Sequence, residues 1–240
     1  MKDKLTYSGS INLILGCMWS GKTSELVRRY KRHTIGGNKC LMIKYKNDTR
    51  YDNNMIVTHD GIKIEAFVCE YLYEADNKIK DYDVICVDEV QFYKDAHIFI
   101  DKWANQGKTI EACGLNGNFN RQEFPIISKL IPLAENISFY KAVCIETKKD
   151  ATFTKINTEV DKGVVEVIGG SEKYSATDRE TYFNNKEFDS VELKFEFLQI
   201  FAASKGITSY GQAELKNFIR SYPDSSLREL SGVFLAAVSR

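Results

Sequence analysis

In the segment "LILGCMWSGKTSEL", Leu13 to Leu26, Gly16, Gly21, Lys22 and Thr23 fit the spacing G-x-x-x-x-G-K-[ST]. That spacing suits the phosphates of a nucleoside triphosphate. Glycines let the backbone N–H groups of the loop, through Cys17, Met18, Trp19 and Ser20, curl around phosphate oxygens. Lys22 neutralises the terminal phosphates, and Thr23 offers a hydroxyl to Mg2+. A glycine-rich turn could carry the same letters by chance. Here, however, the motif lies between an apolar, strand-like run and a helical pattern, the context that phosphate binding requires.

A second segment, "DYDVICVDEVQFY", ends an apolar run on Asp88 and Glu89. A carboxylate at the carboxyl end of a parallel strand faces the ligand crevice, so Asp88 suits a Mg2+ ligand. Glu89 then remains to take a proton, as phosphoryl transfer to a hydroxyl requires. ATPases that polarise a water carry the same pair, so these two motifs alone do not separate a kinase from a motor.

The elements around them alternate. Ser10–Leu15 reads as a buried strand, "KTSELVRRYKRHTIGG" as a helix closed by Gly36-Gly37, and "KCLMIK", "YDVICVD" and "KTIEACG" as further strands, with Lys94 to Gln106 helical in pattern. This predicts an α/β domain with a mostly parallel sheet flanked by helices, over residues 1–140. From Lys141 to Asn185 the pattern changes to short strands, "FYKAVCIE" and "GVVEVIGG", predicting a small β subdomain. Residues 186–240 form a helical extension. There Leu215, Phe218, Ile219 and Tyr222, then Leu227, Leu230, Val233, Phe234 and Val238, recur at helical spacing, with a Ser226/Glu229 capping box at the second helix.

Composition narrows the function classes. The 240 residues carry 33 basic and 33 acidic side chains, so no global field attracts nucleic acid or an anionic membrane. The N-terminus lacks the apolar core of a signal peptide and no apolar run is long enough to span a bilayer, which predicts a cytoplasmic protein. The six cysteines are scattered without a CxxC pair and read as buried thiols. The three histidines, His59 among them, have no partners at metal or triad spacing and read as structural or surface residues.

Seven blocks, "GCMWSGKTSEL", "KNDTRYD", "THDG", "VDEVQFY", "GLNGNFNRQEFPIISKLIPLAE", "AVCIE" and "VIGGSEKY", occur in this order. Over about residues 8 to 185 they resemble the thymidine kinases of human cytosol, many bacteria and large DNA viruses. The resemblance implies transfer of the γ-phosphate of ATP to the 5′-hydroxyl of thymidine, with Mg2+ held by Thr23 and Asp88 and Glu89 as general base. It places Asp48, Thr49 and Arg50, and Asp88, Glu89, Val90 and Gln91, at the phosphate end, where Arg50 stabilises the transferring charge. For the nucleoside it implies a pocket of Met18, Leu115, Phe119 and Phe124. In that pocket the backbone of Val165, Glu166, Val167, Ile168 and Gly169, a lasso around the ligand, reads the base edge, and Tyr174 closes over it. Read without the family, Phe119 and Phe124 are core aromatics more often than ligand contacts. The resemblance further implies a homo-oligomer, commonly a tetramer.

The sequence departs from the family pattern in four places. Val90 replaces a glycine; a positive φ there would strain it, whereas a normal strand-end conformation would absorb it. Cys17 and Trp19 replace a proline and a phenylalanine. At the zinc site, where many members have two CxxC pairs, Cys144, Thr147, Asp178 and Thr181 stand instead, so no structural zinc is expected. The extension after Asn185 lies outside the resemblance. Competing readings are a deoxynucleoside kinase of shifted pyrimidine specificity, a P-loop ATPase acting on a macromolecule, and a nucleotide-binding regulator that has lost catalysis. Against the last two stand the absence of a basic patch or second ATPase core and the intact Lys22, Thr23, Asp88 and Glu89.

Overall fold

The computed structural model describes residues 8–48, 54–57, 61–157, 173–183, 191–207, 210–223 and 225–238. The chain divides into two compact units, Met1–Tyr182 and Phe183–Arg240.

The first unit is built on a six-stranded sheet. Its strands are β1 (Ser10–Gly16), β2 (Cys40–Tyr45), β5 (Phe67–Cys69), β6 (Val84–Val87), β7 (Thr109–Leu115) and β8 (Asn136–Tyr140). They lie in the order β5-β2-β6-β7-β1-β8, and every pairing is parallel. Parallel strands buried on both faces need apolar side chains in both directions. Accordingly Leu13 and Leu15 of β1 enter one core and Ile14 the other.

Helices α2 (Ala96–Asn105) and α3 (Pro125–Leu130) cover the first face through Ile100, Trp103, Ile127 and Leu130. Helix α1 (Lys22–Ile35) covers the second face through Leu26 and Val27. A buried side chain of this kind contributes roughly 1.5–3 kcal/mol. The predicted Gly36-Gly37 stop is observed: the N–H groups of Gly36 and Gly37 donate to the Arg32 and Thr34 carbonyls, and Gly37 has φ 88°.

Three antiparallel pairs complete the unit: β3 (Met55–Val57) with β4 (Lys63–Glu65), β9 (Ala142–Val143) with β10 (Asp150–Ala151), and β11 (Phe153–Ile156) with β12 (Tyr174–Thr177). After β12 comes the short helix α4 (Arg179–Phe183). The strand expected at "GVVEVIGG" lies outside the described residues.

The second unit contains α5 (Val191–Ser204), α6 (Gln212–Ser221) and α7 (Leu227–Val238), packed around Leu198, Leu215, Ile219, Leu230 and Phe234. The expected capping box is present. The Ser226 N–H donates to Glu229 Oε2 at 3.0 Å, and the Glu229 N–H donates to Ser226 Oγ at 3.4 Å. Inside the bundle the buried Lys194 ammonium donates to the Pro223 carbonyl at 2.6 Å.

Candidate active site

Register brings the chemistry to one edge of the sheet. Gly16, the last residue of β1, pairs with Leu115, the last of β7, while Val87 at the end of β6 pairs with Ala112. Strand β7 therefore stands between the glycine-rich loop and the acidic pair, with all three carboxyl ends side by side.

The loop turns through Trp19 at φ 66° and Gly21 at φ 78°, both left-handed, before α1 starts at Lys22. Alternation of this kind makes successive N–H groups converge on an anion. Gly16 permits a close approach: a Cβ there would lie 2.3 Å from the Tyr140 carbonyl oxygen and 2.5 Å from Ser20 Oγ. Lys22 Nζ and Ser20 Oγ both donate to the Cys17 carbonyl, at 2.7 and 2.8 Å.

The two departures in this loop fasten it to the small strands. Cys17 Sγ donates to the Ala151 carbonyl at 3.3 Å and packs among Ala142, Cys144 and Ala176. Burial pushes its thiol up, so it stays protonated. Trp19 Nε1 donates to the Tyr174 carbonyl at 3.3 Å, and the Met18 N–H donates to Thr154 Oγ1 at 3.0 Å.

Across the edge, Thr23 Oγ1 donates to Asp88 Oδ1 at 3.2 Å, so the first turn of α1 meets the end of β6. Asp88 is buried and also accepts from Cys113 Sγ at 2.8 Å. Burial, then the Asp88 charge, holds the Cys113 thiol well above its ordinary value. Glu89 follows with φ 51° and ψ 47°, turning the chain into a short 3-10 segment, Val90–Phe92. Val90 takes the unstrained of the two courses open to it: the left-handed residue is Glu89, and Val90 is fully buried in the core without a positive φ. Gln91 Nε2 donates to Glu89 Oε2 at 2.7 Å.

Of the other expected phosphate-end residues, Asp48 is buried beside Lys44, whose Nζ lies 3.5 Å from Asp48 Oδ2. Thr49 and Arg50 lie outside the described residues. On the expected nucleoside side, Leu115 closes β7, and Phe119 and Tyr174 face each other with ring centroids 6.2 Å apart. Phe119 is half-buried, and its carbonyl accepts from the Tyr182 hydroxyl at 2.7 Å. Phe124 is a buried member of the main core, where the reading without the family put it. Met18 is half-buried in the glycine-rich loop. Val165, Glu166, Val167, Ile168 and Gly169 lie outside the described residues.

The four positions at the family's zinc site come together. Thr147 Oγ1 donates to Asp178 Oδ2 at 2.7 Å, the Thr181 N–H donates to Asp178 Oδ1 at 2.8 Å, and Cys144 Sγ lies 3.4 Å from Thr181 Oγ1. One thiol, one carboxylate and two hydroxyls do not make the thiolate and imidazole set of a closed tetrahedral site. Zinc does not fit. A hydrogen-bonded clasp joins the turn after β9 to the start of α4.

Sequence reasoning missed Cys113, Lys44 and Thr154. The first two reach the site through strand neighbours: Cys113 follows Ala112, which pairs with Val87, and Lys44 follows Ile43, which also pairs with Val87. No spacing within one segment signals such a meeting. Thr154 reaches the loop from β11, 136 residues along the chain from Met18.

Comparison with known proteins places this geometry in a family. A family model described as thymidine kinase matches residues 9–182. Over 175 residues the chain is 44% identical to the thymidine kinase of sheeppox virus (strain KS-1), covering 73% of this chain and 97% of the viral one. It is 42% identical to thymidine kinase 1 of Dictyostelium discoideum (73% and 78% covered) and 43% identical to cytosolic thymidine kinase of Homo sapiens (73% and 74% covered). The helical second unit falls outside the matched range.

Proposed function

Because the chain belongs to the thymidine kinase family, we propose that it transfers the γ-phosphate of ATP to the 5′-hydroxyl of thymidine, giving thymidine monophosphate. The observation that carries this reading is the meeting of Lys22, Thr23, Asp88 and Glu89 at one sheet edge, with Thr23 and Asp88 3.2 Å apart.

Each group then has a task. The loop N–H groups and the amino end of α1 bind the phosphate oxygens, and Lys22 leaves the Cys17 carbonyl to neutralise them. Thr23 and Asp88 supply two hard oxygens on adjacent elements, a set that fits Mg2+ with water and phosphate filling the remaining positions. Bound there, Mg2+ would neutralise charge on the β and γ oxygens. Glu89 accepts the proton of the 5′-hydroxyl, and Arg50 stabilises charge on the transferring group. Phe119 and Tyr174 flank the pyrimidine, Met18, Leu115 and Phe124 close the pocket, and the backbone of Val165 to Gly169 reads the base edge. We further read the active protein as a cytoplasmic homo-oligomer free of structural zinc. Among the described residues no helix is long and apolar enough to cross a membrane.

The test is ATP turnover measured side by side with thymidine, deoxyuridine and deoxycytidine. Thymidine should give the largest kcat/KM. Equal rates with all three would mean a broad deoxynucleoside kinase, and turnover independent of any nucleoside would refute the assignment.

A further inference from the structure

We propose that Gln91 is the positioning residue of the general base: its side-chain amide holds the Glu89 carboxylate and ties it to the backbone of Leu115. The inference rests on Glu89 being the base, as read above, and adds what keeps that carboxylate in place. The sequence places Gln91 in the same phosphate-end segment as Glu89; the contacts of its amide define a narrower task within that segment.

Gln91 is 6% exposed, and both ends of its amide are engaged. Nε2 donates to Glu89 Oε2 at 2.7 Å, and Oε1 accepts from the Leu115 N–H at 3.1 Å. The two partners fix which end is which, since a carboxylate can only accept and a backbone N–H can only donate. The amide therefore cannot flip without losing both bonds.

Its seat is shaped for it. A Cβ on Gly114 would lie 2.6 Å from Gln91 Oε1 and 3.0 Å from Val90 Cγ1, so the missing side chain on β7 is the space the amide fills. Glu89 sits half-buried in a left-handed turn just past the end of β6, between the buried Asp88 and Val90, and its carboxylate is directed onto the Gln91 amide. A general base works only within hydrogen-bond reach of the proton it takes, so loss of orientation appears in kcat. Leu115 also heads the segment leading to Phe119. One amide thus sets the base and the entrance to the nucleoside pocket in a common frame.

The experiment is a double-mutant cycle in the full chain, with kcat and both KM values measured for wild type, Gln91→Met, Glu89→Gln and the double variant. Methionine keeps the length of glutamine and removes both hydrogen bonds. Gln91→Met should lower kcat by about 10-fold or more, with KM for ATP within about twofold of wild type. The double variant should be no slower than Glu89→Gln alone, because Gln91 acts through a group already lost. Gly114→Ala, which crowds the same amide from β7, should reproduce the kcat loss and carries the comparison if Gln91→Met does not fold. A Gln91→Met kcat within about twofold of wild type, or losses that multiply in the double variant, would overturn the proposal. A Glu89→Gln variant with undiminished turnover would instead remove the base assignment, and this inference with it.

Discussion

Thr154→Val removes one hydroxyl from β11 and replaces it with a methyl of nearly the same shape. The Met18 N–H, in the middle of the glycine-rich loop, donates to that hydroxyl at 3.0 Å, and Thr154 is only 5% exposed. Without it a loop N–H loses its acceptor beside a buried side chain, at a cost of about 1–3 kcal/mol. The buried methyl returns at most about 0.8 kcal/mol, leaving a net loss of roughly 0.2–3 kcal/mol, centred near about 1.5 kcal/mol. For a unit of this size each kcal/mol shifts Tm by about 2–4 °C, so at that central value the full chain should melt about 3–6 °C lower. KM for ATP should rise with it, because the loop is then held to the small strands by Cys17 and Trp19 alone among these three contacts. Thr154→Ser keeps the oxygen and should restore both values. Thermal unfolding followed by circular dichroism, with steady-state kinetics on the same preparations, decides the matter. A valine variant that melts within about 1 °C of wild type with unchanged KM would show that the bond contributes nothing to holding the loop.

Other predictions follow from other parts of the molecule. Hydrogen bonding from Arg28, reinforced by Arg29 and Tyr140 against the effect of burial, lowers the Glu25 carboxyl from 4.5 to about 2. Its stabilisation is therefore complete above pH 4.5 and fades as pH falls towards about 2; in urea titrations the advantage of wild type over Glu25→Gln should shrink across that window. Truncation after Asn185 should leave thymidine phosphorylation largely intact, since α5, α6 and α7 have a core of their own; a folded truncation without activity would contradict this. Metal analysis of protein purified without chelator should find no stoichiometric zinc. Asp178→Ala should lower the melting temperature, because Asp178 accepts from both Thr147 and Thr181.

The parts of the site that lie within one segment were legible in the sequence, and the parts made by strand neighbours were not. Gly16, Gly21, Lys22 and Thr23 declare themselves because loop and helix are consecutive, as do the Gly36-Gly37 stop and the Ser226/Glu229 box. Asp88 and Glu89 were found at a strand end, but nothing in the spacing marks Glu89 as the residue that takes the left-handed turn. The link from Gln91 to Leu115 depends on β6 and β7 being adjacent and on the gap at Gly114, neither of which a spacing reveals. Helix α5 fell within the predicted helical extension but was not singled out as a helix of its own, for a different reason. Phe195, Phe197, Leu198, Ile200 and Phe201 surround its axis, so it lacks the one-sided stripe that made α6 and α7 recognisable, and Ile200 is 66% exposed.

The most direct test of the catalytic account follows the label from ATP labelled at the γ-phosphate. Wild type should place it on the 5′-oxygen of thymidine in step with ADP formed, and Glu89→Gln should lower that transfer by about 10²-fold or more while still binding ATP. Label released to water at the same rate with or without thymidine, or undiminished transfer by Glu89→Gln, would contradict it.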